Sequence, residues 1–405
     1  MNQEPRRLLL EAFMAGIQSV NGRDCVRRWL QSNPLAGPVQ VIAIGKAACA
    51  MASGAQDVLG PALNDAFVVT KHGYAEPLSW PVRETGHPLP DIASLEAGAA
   101  LESFVTAMPL DATVLVLLSG GASTLLEQLP AGVTLTDLLR VNDWLLGSGL
   151  DIHAMNAVRK RLSRIKGGRL AQALFPRRVQ ALTISDVPGD DPRTIGSGPL
   201  SPDPRTVEVH DLPVFIRDLL ALAVPLPTFD DDCFERVRVA VIASNAEARR
   251  AAAGACRQSG MTVVTDAGAI TGDAAQAGDR LAHTLLHAEP GSAFVWGGET
   301  TVTLPAIPGR GGRCQTLALS AATHFAGHEG VWLLAAGTDG SDGPGDDAGA
   351  IVDGDSVARG CTEGLDAQTA LTRADAGHFL EASGDLLQTG PTGTNVMDLV
   401  IGLRL

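Results

Sequence analysis

The chain has 405 residues, 45% of them hydrophobic and 19% charged, a composition that suits packed globular domains and excludes wholesale disorder. Its length exceeds what one hydrophobic core usually supports, so two domains are expected. Thirty-one basic against 45 acidic residues give a formal net charge of −14, which disfavours duplex nucleic acid and anionic lipid as partners and leaves small anions to local basic sites.

The opening stretch "MNQEPRRLLLEAFMAGIQSV" is interrupted by Glu11 and lacks the apolar region and cleavage site of a signal peptide. No apolar run reaches membrane-spanning length, and a cytoplasmic location is expected. The six cysteines stand singly with no C-x-x-C pair, which points to reduced, mostly buried thiols and not to zinc or disulfides.

Short aliphatic runs then recur: "VQVIAIG" (39–45), "FVVT" (67–70), "TVLVLLSGG" (113–121), "VQALTISD" (179–186), "VRVAVIASN" (237–245), "AFVWGGE" (293–299) and "VWLLAAGTDG" (331–340). Apolar residues at consecutive positions fit strands buried on both faces, the pattern of parallel sheets. The alanine-rich segments 246–260 and 273–288 read as helices. Strand and helix alternate, which predicts an α/β protein with right-handed connections. The proline-rich segment 210–232 reads as a crossing or linker, and a domain boundary is placed within 205–290.

Ligands of open parallel sheets gather outside the carboxyl ends of the strands. At those ends stand "GK", "SGGAS", "SDVPGDD", "SN", "GGETT" and "GTDGSDG". The loop Ser119, Gly120, Gly121 and Ser123 suits close approach to a phosphate, or is a plain turn with Ser123 as N-cap. The motifs G-x-x-x-x-G-K-[ST] and G-x-G-x-x-G are absent.

Only four of the basic residues are lysines, Lys46, Lys71, Lys160 and Lys166. Lys46 follows a strand and Gly45, where a point charge can neutralise a transferring phosphoryl group; the alternative is a solvated lysine at a helix start. Lys160 and Lys166, in "VRKRLSRIKGGRL", read as a solvated helix face. Arg313 follows a Gly-Gly pair and suits forked binding of phosphate or carboxylate; an exposed loop arginine is the alternative. His87, in "TGHPLPD", either positions substrate or is structural. Asp186, Asp190 and Asp191 share one loop, and Asp339, Asp342, Asp346 and Asp347 another. An EF-hand is excluded, but one or two of these carboxylates suffice for magnesium when phosphate oxygens complete the shell.

Taken together, "VIAIGKAACAMA", "ETGHPLPDIASLEAG", "LLSGGAS", "VRKRLSRIKGGRLA", "SDVPGDDPRTIGSGP", "GGETTVT", "GRGGRCQTLAL", "GTDGSDGPGDDAGA" and "TGPTGTNVMDLVI" resemble, in order, the type-2 glycerate kinase family with its C-terminal MOFRL domain. The resemblance implies a larger Rossmann-like three-layer α/β/α domain with a mostly parallel sheet over 1–235 and a smaller α/β MOFRL domain over 290–405. It implies ATP-dependent phosphorylation of D-glycerate to 2-phosphoglycerate with Mg2+, in a cleft between the two, and no nucleic acid or membrane partner; a homo-oligomer is compatible with it. Carried over, the family's cleft lysine falls on Lys46 and its arginine on Arg313. Ser119, Gly120, Gly121, Ser123 and Asn245 then face nucleotide, His87 and Lys71 face substrate, and Asp186, Asp190 and Asp339 face the metal. Two positions depart from the family pattern: Cys314 stands where it usually has asparagine and Ala122 where it usually has glycine. Relatives are often called hydroxypyruvate reductases; the missing G-x-G-x-x-G speaks against a nicotinamide site. A non-catalytic nucleotide-binding relative is the third reading.

Overall fold

A computed structural model describes residues 3–150, 152–203, 212–264 and 269–405. The chain divides into two compact units, one of residues 22–242 and one of residues 1–21 with 243–405.

The first unit is built on a six-stranded sheet. Its strands are β1 (Val39–Ile44), β2 (Leu63–Lys71), β3 (Val82–Thr85), β4 (Thr113–Leu118), β5 (Arg178–Ile184) and β6 (Val237–Ala243). They lie in the order β3-β2-β1-β4-β5-β6. Strand β1 runs parallel to β2 and β4, β2 to β3, and β4 to β5. This is the order of a doubly wound nucleotide-binding sheet, whose direction of winding reverses between β1 and β4. Every residue of β1 is buried, as the unbroken apolar run requires of a central strand. One core packs Ile42, Ile44, Val116 and Leu118 against Leu101 and Val105 of the helix Ile92–Ala107.

The proline-rich stretch is not a linker. Between Pro213 and Pro225 it forms the helix Val214–Ala221, whose Ile216 and Leu220 pack with Val141, Leu145 and Val158 of the same unit. The part of the stretch at 210–211 lies outside the described residues.

The second unit has β7 (Thr262–Val264), β8 (Ala269–Ile270), β9 (Ser292–Gly298), β10 (Val331–Gly337), β11 (Gly349–Asp353), β12 (Leu386–Leu387) and β13 (Asp398–Arg404). The order is β12-β11-β10-β13-β9-β7, with β8 beside β9. Here the parallel expectation holds only on one side of β9, where β7 and β8 run parallel to it. Strand β13 is antiparallel to both β9 and β10, and β10 is antiparallel to β11. The apolar runs of β9 and β10 are fully buried, but burial of both faces reports the layers on either side and not strand direction.

The expected extents of 1–235 and 290–405 also differ from the observed units. Leu9, Phe13 and Ile17 of the N-terminal helix Gln3–Ser19 pack against Ala252 and Cys256 of the helix Asn245–Gln258 and Leu399 of β13, within the second unit. An apolar stripe does not announce its partner when that partner lies more than two hundred residues away. No helix among the described residues is long and apolar enough to cross a membrane.

Candidate functional site

The switch point of the first sheet is built from two glycine turns laid against each other. Gly45 leaves β1 with φ +130°, and a Cβ there would overlap Ser119 Oγ and lie 2.6 Å from the Ser119 carbonyl oxygen. Only glycine allows this approach. The main chain then interlocks: Ser119 N–H donates to Ile44 O (3.0 Å), Lys46 N–H to Gly120 O (2.9 Å) and Ala47 N–H to Ser119 Oγ (3.0 Å). Ser119 is fully buried. Lys46 is therefore held against the Ser119–Gly121 turn and precedes the helix Ala48–Leu59, whose N-terminus lacks a side-chain cap.

Gly121 turns the chain at φ +86° and lies against the His87 ring, whose Cδ2 would be 3.1 Å from a Cβ at that position. Ser123 shares a 2.9 Å hydrogen bond with Ser197. The loop that carries His87 is ordered by Asp91, which accepts from Ser94 N–H (2.9 Å) and contacts His72 Nε2 (2.9 Å). Burial opposes the Asp91 charge, but hydrogen bonds from His72, Ser94 and Gly86 overcome it and hold the pKa down at about 2. Lys71 ends β2 with its ammonium 4.8 Å from the Tyr74 ring centre. Asp186 and Asp190 follow β5, both half-buried, and Asp190 has φ 55°. The structure thus brings Lys46, Ser119, Gly120, Gly121 and His87 together.

Lys160 and Lys166 are not a solvated face. They are 2% and 3% exposed, paired with Asp203 and Glu127 respectively.

The second unit has its own charged centre. Arg313 begins the helix Arg313–Phe325. Its Nε and Nη2 donate to Asp398 Oδ2 (2.7 Å) and Oδ1 (2.8 Å), and its Nη1 reaches Glu299 Oε1 at 2.8 Å. Burial works against the guanidinium charge, but Asp398 and then Glu299 outweigh it and raise the pKa above the ordinary arginine value. Asp398 is set by its neighbours: Thr338 Oγ1 donates to Met397 O (2.5 Å) and accepts from Val396 N–H (2.8 Å), with Met397 at φ 66°. Residue-by-residue reading missed Asp398, because it lies 85 positions from Arg313 and its only signal is a carboxylate at the start of an apolar run.

The aspartate-rich loop divides its labour. Asp342, 2% exposed, accepts from Cys314 N–H (3.0 Å) and Gln315 N–H (2.8 Å), capping the Arg313 helix from another segment. Burial, followed by the nearby Asp398 charge, raises its pKa to about 7. Asp347, 1% exposed, pairs with Arg310 at 2.6 Å and accepts from Gln388. Asp346 is exposed. Asp339 is buried and accepts from Ser341 N–H at 2.9 Å. Asn245 is occupied structurally, since its amide donates to Val396 O (2.8 Å) and Asp398 O (2.9 Å). Among the described residues no three His, Cys, Asp or Glu side chains are grouped to hold a metal unaided.

Comparison with known proteins places these features. Residues 8–215 match the family described as "Domain of unknown function (DUF4147)" and residues 292–398 match the MOFRL family. The chain is 36% identical to the D-glycerate 2-kinase of Thermotoga maritima, covering 98% of each chain. It is 41% identical to an Agrobacterium vitis protein that carries a provisional hydroxypyruvate reductase name, over 90% of this chain and 98% of that one. A crystal structure of glycerate kinase from Thermotoga maritima superposes with a TM-score of 0.84 at 35% identity, covering 100% of both chains. The chain belongs to the type-2 glycerate kinase family, with a DUF4147 region followed by a MOFRL domain.

Proposed function

We propose that this protein is a glycerate 2-kinase that transfers the γ-phosphoryl group of ATP to the 2-hydroxyl of D-glycerate, with Mg2+, giving 2-phosphoglycerate. The observation that carries the reading is the switch-point turn, in which Gly45 and Lys46 lock onto Ser119 and Gly120. Phosphoryl transfer needs positioning and charge neutralisation more than covalent chemistry, and a lysine fixed beside a glycine turn offers both. In this reading the turn Ser119, Gly120, Gly121 and Ser123 faces the nucleotide phosphates, Lys46 neutralises the moving phosphoryl group, and His87 and Lys71 contact the acceptor substrate.

Arg313 acts as the second positive group. Asp398, with a side chain 7% exposed, is its fixed partner, whereas Glu299, at 45%, is the partner that an incoming anion displaces. Asp186, Asp190 and Asp339 are the carboxylates offered to Mg2+. One or two of them with phosphate oxygens satisfy that ion, so no preformed three-residue cluster is needed. Bound there, the cation supplies further charge neutralisation at the phosphates. Asn245, whose amide hydrogens are taken by the carbonyls of Val396 and Asp398, supports the start of the Asp398 strand and is assigned no nucleotide contact.

The test is purified protein with D-glycerate, ATP and Mg2+, following ADP release and identifying the phosphoglycerate isomer, with hydroxypyruvate plus NADH or NADPH in parallel. The expected result is 2-phosphoglycerate without nicotinamide oxidation. Nicotinamide oxidation without ADP release would overturn the kinase reading.

A further inference from the structure

A cavity of about 290 Å3 opens beside the serine–glycine turn, lined by Pro88, Ser123, Thr124, Asn142, Arg159 and Lys166 among others. Its charges do not cancel. Lys166 is neutralised by Glu127, which also lines the cavity. Arg159 has no carboxylate partner among the described residues; its Nε donates to the neutral Asn142 Oδ1 at 3.0 Å. The half-buried guanidinium thus brings an unbalanced positive charge to the wall. Burial, with no opposing acid, lowers its pKa from the ordinary arginine value, so a bound anion would relieve a cost already present in the fold. Asn142 is itself 8% exposed, and its Nδ2 has no protein acceptor among the described residues. Two fixed donor groups on one wall suit a planar acid group.

The donor chemistry selects an acid group, and the cavity volume, at the lower edge of the about 300–1,000 Å3 range of small-molecule pockets, gives room for a short acid. We infer that this cavity seats the carboxylate of the phosphoryl acceptor, with Arg159 and Asn142 receiving the acid group of a short 2-hydroxy acid. The inference rests on the glycerate kinase reading for the identity of the acid. It makes Arg159 a specificity residue: neutral polyols lose their main contact, while 2-hydroxy acids that differ in their other substituents share it.

The experiment is titration calorimetry on the full chain with ADP present, using D-glycerate, and with ADP or inorganic phosphate as separate ligands. The proteins are wild type, Arg159→Gln, Arg159→Lys and Asn142→Ala. D-glycerate affinity is expected to fall about tenfold or more in Arg159→Gln, the scale of a lost hydrogen bond to a charged group. Arg159→Lys should retain part of it, which separates loss of charge from misfolding, and Asn142→Ala should show a smaller loss. ADP affinity should stay within about twofold throughout. Unchanged glycerate affinity, or lost ADP or phosphate affinity in its place, overturns the assignment. The two readings fail separately. Absence of ADP release in wild type sinks the kinase activity even if glycerate binding depends on Arg159, whereas normal turnover with an unaltered KM for glycerate in Arg159→Gln sinks this cavity alone.

Discussion

Asp398 grips Arg313 through two parallel hydrogen bonds of 2.7 and 2.8 Å, and so fixes the plane of the guanidinium from the first residue of β13. Forked pairing of this kind defines direction as well as charge. Replacing Asp398 with Asn keeps the shape but removes one acceptor and the balancing charge. We expect kcat to fall on the order of 100-fold, the cost of misplacing a reacting group by about 1 Å, while Glu299→Gln changes KM more than kcat. Steady-state kinetics of both variants decide the matter. Equal kcat in Asp398→Asn and wild type would show that Arg313 needs no fixed partner.

Asp342 predicts a pH dependence of stability. Its folded pKa is about 7 against 3.8 when unfolded, so the folded chain binds the proton more tightly. A raised carboxyl contributes stability that is fully present below 3.8 and is lost as pH rises to about 7. Each pKa unit corresponds to about 1.4 kcal/mol, so the window holds a few kcal/mol at most. Asp342→Asn keeps an acceptor for the helix N-terminus and cannot ionise. Denaturant midpoints from pH 4 to 8 should therefore fall less steeply in Asp342→Asn than in wild type; parallel curves would remove Asp342 as the cause.

Gly45 is the residue on which the switch-point turn depends. Alanine there would both enter the Ser119 main chain and adopt φ +130°. Overpacking of this kind costs about 1–3 kcal/mol and an unfavourable φ a similar amount. Gly45→Ala should lose roughly 2–5 kcal/mol in urea unfolding and most of its kinase activity. Ala122→Gly lies outside this contact but removes a buried methyl and a better helix former, so it should cost about 1–2 kcal/mol, below Gly45→Ala.

The parallel sheet and the residues at its strand ends were legible because both are local: a buried strand is an apolar run, and a turn that approaches another backbone needs glycine. Gly45, Lys46 and the Ser119–Gly121 turn follow directly. What could not be read was pairing across long separations. Nothing around Asp398 names Arg313, and nothing in β9 or β10 shows that β13 runs between them in the opposite sense. The aspartate loop misled for the same reason. Asp342 and Asp347 read as turn or metal residues until the distant backbone of Cys314 and the side chain of Arg310 supply their partners. Arg159 was hidden in a basic run whose lysines are buried and paired.

Those lysines give a final prediction. Lys166 and Glu127 are 3% and 2% exposed and paired with each other. Removing one partner leaves a buried charge uncompensated, which costs about 3–5 kcal/mol, whereas replacing both with apolar side chains of similar volume is often near neutral. Lys166→Met alone should therefore be strongly destabilising, and Lys166→Met combined with Glu127→Met should recover most of the loss. Urea unfolding of the two singles and the double gives the coupling directly. If the double variant is as unstable as the sum of the singles, the pair is not isolated: Arg169, also buried and sensing the Glu127 charge, would then be the group that Glu127 principally balances.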